Sequence, residues 1–136
     1  MEDRYLSKAK RIDNGEWIIG SLLVDKQQDI ETGEQIEIIG IYPSEYKDFA
    51  KKIDPSTICQ CTGLRDKNDA LIWEKDIVNC LTEDCCGYIG WNESEAGFYF
   101  NALLEDGRFE EEHIYDYQDC IEVIGNTFDS PELLEV

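Results

Sequence analysis

The sequence has one histidine, one methionine, three prolines and, across residues 76–136, a single basic side chain, Arg108. Each scarcity excludes something. No apolar run approaches the ~18 residues that a membrane-spanning helix needs. The opening Met1-Glu2-Asp3-Arg4-Tyr5 lacks the basic-then-apolar pattern of a secretion signal, so a soluble intracellular protein with no membrane partner is expected. Too few bases argue against direct nucleic-acid binding, because neutralising phosphates requires a basic footprint. One histidine leaves little room for general-base chemistry.

What the chain has is acid. Its 136 residues carry 31 Asp and Glu against 12 Lys and Arg, a formal net charge of −19. At 42% hydrophobic and 11% aromatic residues it is too apolar for a disordered acidic tail. The length suits one domain or two small subdomains. The charge is uneven. Residues 1–75 hold 15 acids and 11 bases, whereas residues 76–136 hold 16 acids and Arg108 alone. Glu105-Asp106 and Glu110-Glu111-Glu112 form like-charged blocks. Two readings stand: a solvated surface that maintains solubility, or a surface that competes with DNA for a basic protein.

The pattern is mainly β with minor α. Residues 16–24 and 35–42 are rich in β-branched and aromatic side chains and predict a hairpin with a long, mobile polar tip at 25–34. After Pro43, Ser44 suits the N-cap of a short helix through about Lys52, with Tyr46, Phe49, Ala50 and Ile53 as its apolar stripe. Further strands are expected at 57–62, 76–81, 87–91, 97–103 and 121–124, with a terminal helical turn opened by Pro131. Closely spaced short strands suggest a small barrel in the second half.

Three segments are more specific. They are Ala9 to Trp17 with Gly20-Ser21-Leu22; Asp54 to Asn68 with Ile72 to Val78; and Glu122 to Leu134, which contains Val-Ile-Gly-Asn and Pro-Glu-Leu-Leu. Together they resemble the YopX family of phage and prophage proteins over nearly the whole chain. Three positions depart from the family pattern. Cys61 stands at an aromatic position, while Asp69 and Lys75 stand where glycine is usual. Glycine supplies positive φ at such turns, so Asn68 is expected to take the left-handed position instead. The resemblance implies an SH3-like barrel over 63–136 behind a mixed subdomain over 1–62, within a bacterial cytoplasm. It implies no particular reaction.

The motif residues are Trp17, Gln60, Thr62, Gly63, Leu64, Asp66, Asp76, Gly125, Asn126, Pro131 and Leu133. All are expected to be structural. Gly63-Leu64 turns the chain and supplies an apolar plug. Asp66 and Asp76 bind turn N–H groups, and Gly125-Asn126 ends the last strand in a conformation that other residues tolerate poorly. No catalytic site, cofactor or metal site is assigned. His113 lacks a recognisable partner motif. Cys59-x-Cys61 and Cys85-Cys86 fit structural zinc spacing poorly, and adjacent strand residues face opposite ways. Reduced cysteines packed as small hydrophobes are expected.

The leading expectation is therefore a non-enzymatic phage accessory protein, an interaction module whose protein partner the sequence does not name. A homo-oligomer is a candidate assembly, with the basic clusters Lys8, Lys10, Arg11 and Lys47, Lys51, Lys52 meeting the acidic half of a second copy. The alternatives are an acidic decoy for a basic host defence or replication protein, and a small enzyme using a cysteine with His113.

Overall fold

A computed structural model describes residues 3–43 and 49–135, which fall into two compact units, 1–60 and 61–136. The boundary lies inside one strand, after Gln60.

The first unit contains β1 (Ser7–Lys10), β2 (Trp17–Gln28), β3 (Gln35–Pro43), β4 (Lys51–Lys52) and the start of β5 (Cys59–Arg65). All its ladders are antiparallel, in the order β4-β3-β2-β1-β5. The expected hairpin is β2–β3, but its tip is shorter than expected. Residues 25–28 stay in β2, paired with 35–38, and only 29–34 turn. Asp29 stabilises that turn by accepting from the Glu31 and Thr32 N–H groups at 2.8 and 3.2 Å. Of the expected helix, residues 44–48 lie outside the described residues, while Lys51–Lys52 form strand β4 against Gly40 and Ile41. Ladder pairing with β3 outweighs the weak helical stripe there. The core of this unit is Ala9, Ile41 and Ile53, with Ile18, Ile39 and Ile58 packed around them.

Before β5, Asp54 caps a 3₁₀ turn at Pro55–Thr57 by accepting from the Ser56 N–H at 3.0 Å. Thr57 therefore belongs to the turn, and the strand begins at Cys59 rather than at residue 57.

The second unit adds β6 (Leu71–Trp73), β7 (Asp76–Cys80), β8 (Cys85–Asn92), β9 (Gly97–Leu103), β10 (Phe109–His113) and β11 (Ile121–Asn126). β5 pairs with β6 across a bulge between Cys61 and Arg65. The other five strands form an antiparallel sheet in the order β10-β9-β8-β7-β11. Among the described residues this sheet is open, with β10 and β11 at its edges, so the expected barrel is not closed. The run Asp76–Cys80 is buried on both faces except at Asn79, as suits a central strand. Its core unites Ile72, Val78, Cys80, Ile89, Phe100, Ala102, Ile114 and Ile121. Phe100 is fully buried and meets Tyr117 edge-on at 5.3 Å between ring centres.

The described helical segments are 3₁₀ turns, at Asp3–Tyr5, Pro55–Thr57, Ile114–Asp116 and Pro131–Leu134. Among the described residues the expected minor α content is thus confined to such turns. Strand β10 has no expectation from periodicity, because Phe109-Glu110-Glu111-Glu112-His113 has no apolar alternation. It forms because β9 offers an open edge, and its charged side chains keep that edge from pairing further.

Candidate functional site

The family-motif residues converge on turns. Trp17 opens β2 opposite Lys10, and the ammonium groups of Lys8 and Lys10 lie 4.8 and 5.4 Å from its ring centre. Gln60 sits in β5 opposite Ser7. Thr62 donates from its hydroxyl to the Ile72 carbonyl at 2.7 Å and accepts from the Leu64 N–H at 3.1 Å. Gly63 has φ 79, a backbone that disfavours a side chain, and Leu64 packs against the second unit's core.

Asp66 is the most heavily used motif residue. Its Oδ1 accepts from the N–H groups of Asn68 and Ala70, both at 2.9 Å, and its Oδ2 accepts from Val123 at 2.9 Å. One buried carboxylate thus closes its own turn and ties that turn to β11. Burial pushes this carboxyl up, but the three N–H donors, aided by Lys67, outweigh burial and hold it below the ordinary carboxylate range. The left-handed residue of this turn is Asp69 (φ 66), not the expected Asn68. Asn68 instead lends its side-chain amide to Glu122 at 3.2 Å. Lys75 likewise takes the position usual for glycine with φ 68, and its N–H donates to the Ile89 carbonyl at 2.6 Å. Asp76 is buried and its Oδ2 accepts from the Trp73 N–H at 2.8 Å.

Gly125 also has a different reason from the expected one. It is not among the positive-φ residues. A Cβ there would lie 3.2 Å from both Leu133 Cδ1 and Ser130 Cβ. Close packing, rather than backbone conformation, is what favours glycine there. The Asn126 side chain accepts from the N–H groups of Phe128 and Asp129 at 3.0 and 2.9 Å, turning the chain into Pro131–Leu134.

The cysteines divide by face. Cys59 and Cys61 are both buried along β5, two residues apart on one face. Cys85 and Cys86 point to opposite faces, and the Cys86 thiol contacts the Leu133 carbonyl at 3.6 Å. The β7–β8 turn brings Cys80 and Cys85 together with Glu83, and Cys120, just before β11, lies 3.8 Å from Cys80 between the sulfurs, a grouping that sequence spacing alone did not signal. Burial, with Cys80, Glu83, Cys86 and Glu112 adding negative charge, pushes the Cys85 thiol up to about 11. His113, at the end of β10, has its ring 4.8 Å from that of Tyr99.

The outer half of the β2–β3 hairpin carries several exposed apolar residues. Among the described residues, 21–28 pair only with β3, and 35–38 only with β2. Leu22, Val24 and Ile39 share one face of this ribbon, and Leu23, Ile36 and Ile38 the other. Leu23 and Val24 are 43% and 54% exposed.

A family model described as YopX protein matches residues 8–135. The chain belongs to the YopX family. No curated protein matches the sequence. For this YopX family member, the matched span takes in every motif residue named above. No described helix is long and apolar enough to cross a membrane.

Proposed function

We propose that this YopX protein is a non-enzymatic protein-interaction module, a phage or prophage accessory protein acting in the bacterial cytoplasm. The observation that carries the reading is the β2–β3 ribbon. Consecutive apolar residues such as Leu22-Leu23-Val24 suit a strand covered on both faces, and a two-stranded ribbon cannot supply that cover. Among the described residues its strand edges at 21–28 and 35–38 are also open to pairing. A second copy satisfies both needs, because an identical ribbon presents the same edges and the same apolar faces about a two-fold axis. Light scattering coupled to size exclusion should therefore give a dimer or higher assembly. A monomer at every concentration tested, with no partner captured from the bacterial host, sinks the reading.

The second unit adds support as a scaffold. Its four-strand meander β7-β8-β9-β10, a 3₁₀ turn and a fifth strand beside the first follow the order expected of an SH3-like open barrel. A second reading, the acidic decoy, rests on the exposed Glu110 and Glu111 of edge strand β10 and the −15 balance of residues 61–136. A decoy must bind its basic partner in competition with DNA and lose affinity as salt rises. Salt-independent binding removes it.

A further inference from the structure

Two thiols and a carboxylate meet at one end of the second unit's sheet, with a third thiol beside one of them. Cys80 ends β7 and Cys85 opens β8, and the two are direct partners across the ladder. The turn between them carries Glu83. The Cys80 Sγ, the Cys85 Sγ and a Glu83 carboxylate oxygen all lie within 4.8 Å of one another. From the other side, the Leu81 N–H donates to the Cys120 carbonyl at 3.0 Å. That bond sets the Cys120 Sγ 3.8 Å from the Cys80 Sγ.

We propose that Cys80, Glu83, Cys85 and Cys120 bind a thiophilic divalent cation of the zinc class. Thiolate and carboxylate are both zinc ligands, and Cys80-x₄-Cys85 falls within the spacing of structural zinc pairs. Thiolates at ~2.3 Å around a tetrahedral zinc stand ~3.8 Å apart, which is the separation of Cys80 and Cys120. Cys80, Glu83 and Cys85 lie within 4.8 Å of one another, and Cys120 stands beside Cys80 but outside that group. Glu83 sits on the exposed 81–84 turn, and movement of that turn closes the set. The surroundings favour a cation. Glu112 acts electrostatically on Cys85, and its buried Oε2 is without a hydrogen-bond partner. The Tyr117 hydroxyl lies 3.4 Å from Glu83 Oε1. On binding, each thiol releases its proton to solvent and the sulfur pair binds the metal. The bound ion ties the β7–β8 turn to the start of β11.

The test uses the full chain, purified under a non-thiol reductant and dialysed against zinc or cobalt. One equivalent of metal should be retained. Cobalt should show the intense visible bands of a tetrahedral thiolate site, and zinc should raise the melting temperature. Cys85→Ser should weaken zinc binding by more than the roughly hundredfold that an outer-shell change costs, and Cys120→Ser should abolish the three-thiolate cobalt spectrum. Cys86→Ser should leave both unchanged. If a variant does not fold, alkylation of the wild type decides, with zinc protecting Cys85 and Cys120. No retained metal, a weak octahedral cobalt spectrum, full affinity in Cys85→Ser, or alkylation indifferent to zinc overturns the proposal.

Discussion

The two units are built from the same antiparallel pairing, yet they bury very different amounts. Among the described residues, the main core cluster of 61–136 joins eight buried side chains, Phe100 among them, whereas that of 1–60 joins three, Ala9, Ile41 and Ile53. The difference is geometric. In the second unit β7, β8 and β9 each have a neighbour on both sides. In the first unit β2 is the longest strand, and it outruns β1 after Gly20. Its excess length carries apolar residues that its own unit leaves exposed. Charge follows the opposite trend, with a balance of −4 in residues 1–60 and −15 in residues 61–136. A well-filled core tolerates a strongly charged surface, because hydrophobic burial outweighs screened self-repulsion. The less filled unit keeps its charges near balance and its apolar surface outward. The lesson is a division of labour. On the proposed interaction-module reading, one unit supplies stability and the other supplies surface for association.

The comparison breaks first at Phe100. Phe100→Ala should cost about 3–5 kcal/mol and unfold the second unit, read by chemical denaturation. If that loss is small, the second unit is not the more stable one. Asp66 comes next. Asp66→Ala leaves three N–H groups without their carboxylate and should cost about 3 kcal/mol by the same measurement. The pH dependence follows from the direction of the shift. A carboxyl held below its unfolded value contributes stability above that unfolded value, about 3.9, and loses it as pH falls through the lower folded value. The wild type should therefore weaken below about pH 4, and Asp66→Asn should flatten that acid limb. The smallest stability effect belongs to the ribbon. Leu23→Ser and Val24→Ser should each change unfolding free energy by only about 0.5 kcal/mol, yet together they should shift the assembly mass towards monomer. A large stability loss with unchanged mass would mean that the ribbon's apolar residues serve the fold rather than association.

The strands with the clearest composition were legible. Trp17-Ile18-Ile19, Gln35 to Tyr42, Asp76 to Cys80 and Gly97 to Leu103 all lie in strands. Strands β1, β4 and β10 were not, because Ser7-Lys8-Ala9-Lys10, Lys51-Lys52 and Phe109 to His113 carry little apolar periodicity. They pair because a neighbour's edge is available, which is a tertiary fact. The Asp66 turn was legible as a turn. Its third N–H partner, Val123, lies 57 residues away and was not.

By itself, the sequence determined the mainly β class, the family and the concentration of acid in one half. Those follow from local propensity, motif order and composition, none of which needs a contact map. Only the tertiary structure decided that Gly125 packs closely against Ser130 and Leu133, and that Asp69 rather than Asn68 takes the left-handed turn. It also decided that Cys80 and Cys85 share one end of a sheet with Cys120 beside Cys80. The reason is physical. Ladder register fixes which distant residues become neighbours, and register is set by the burial of whole strand faces rather than by any local run of residues.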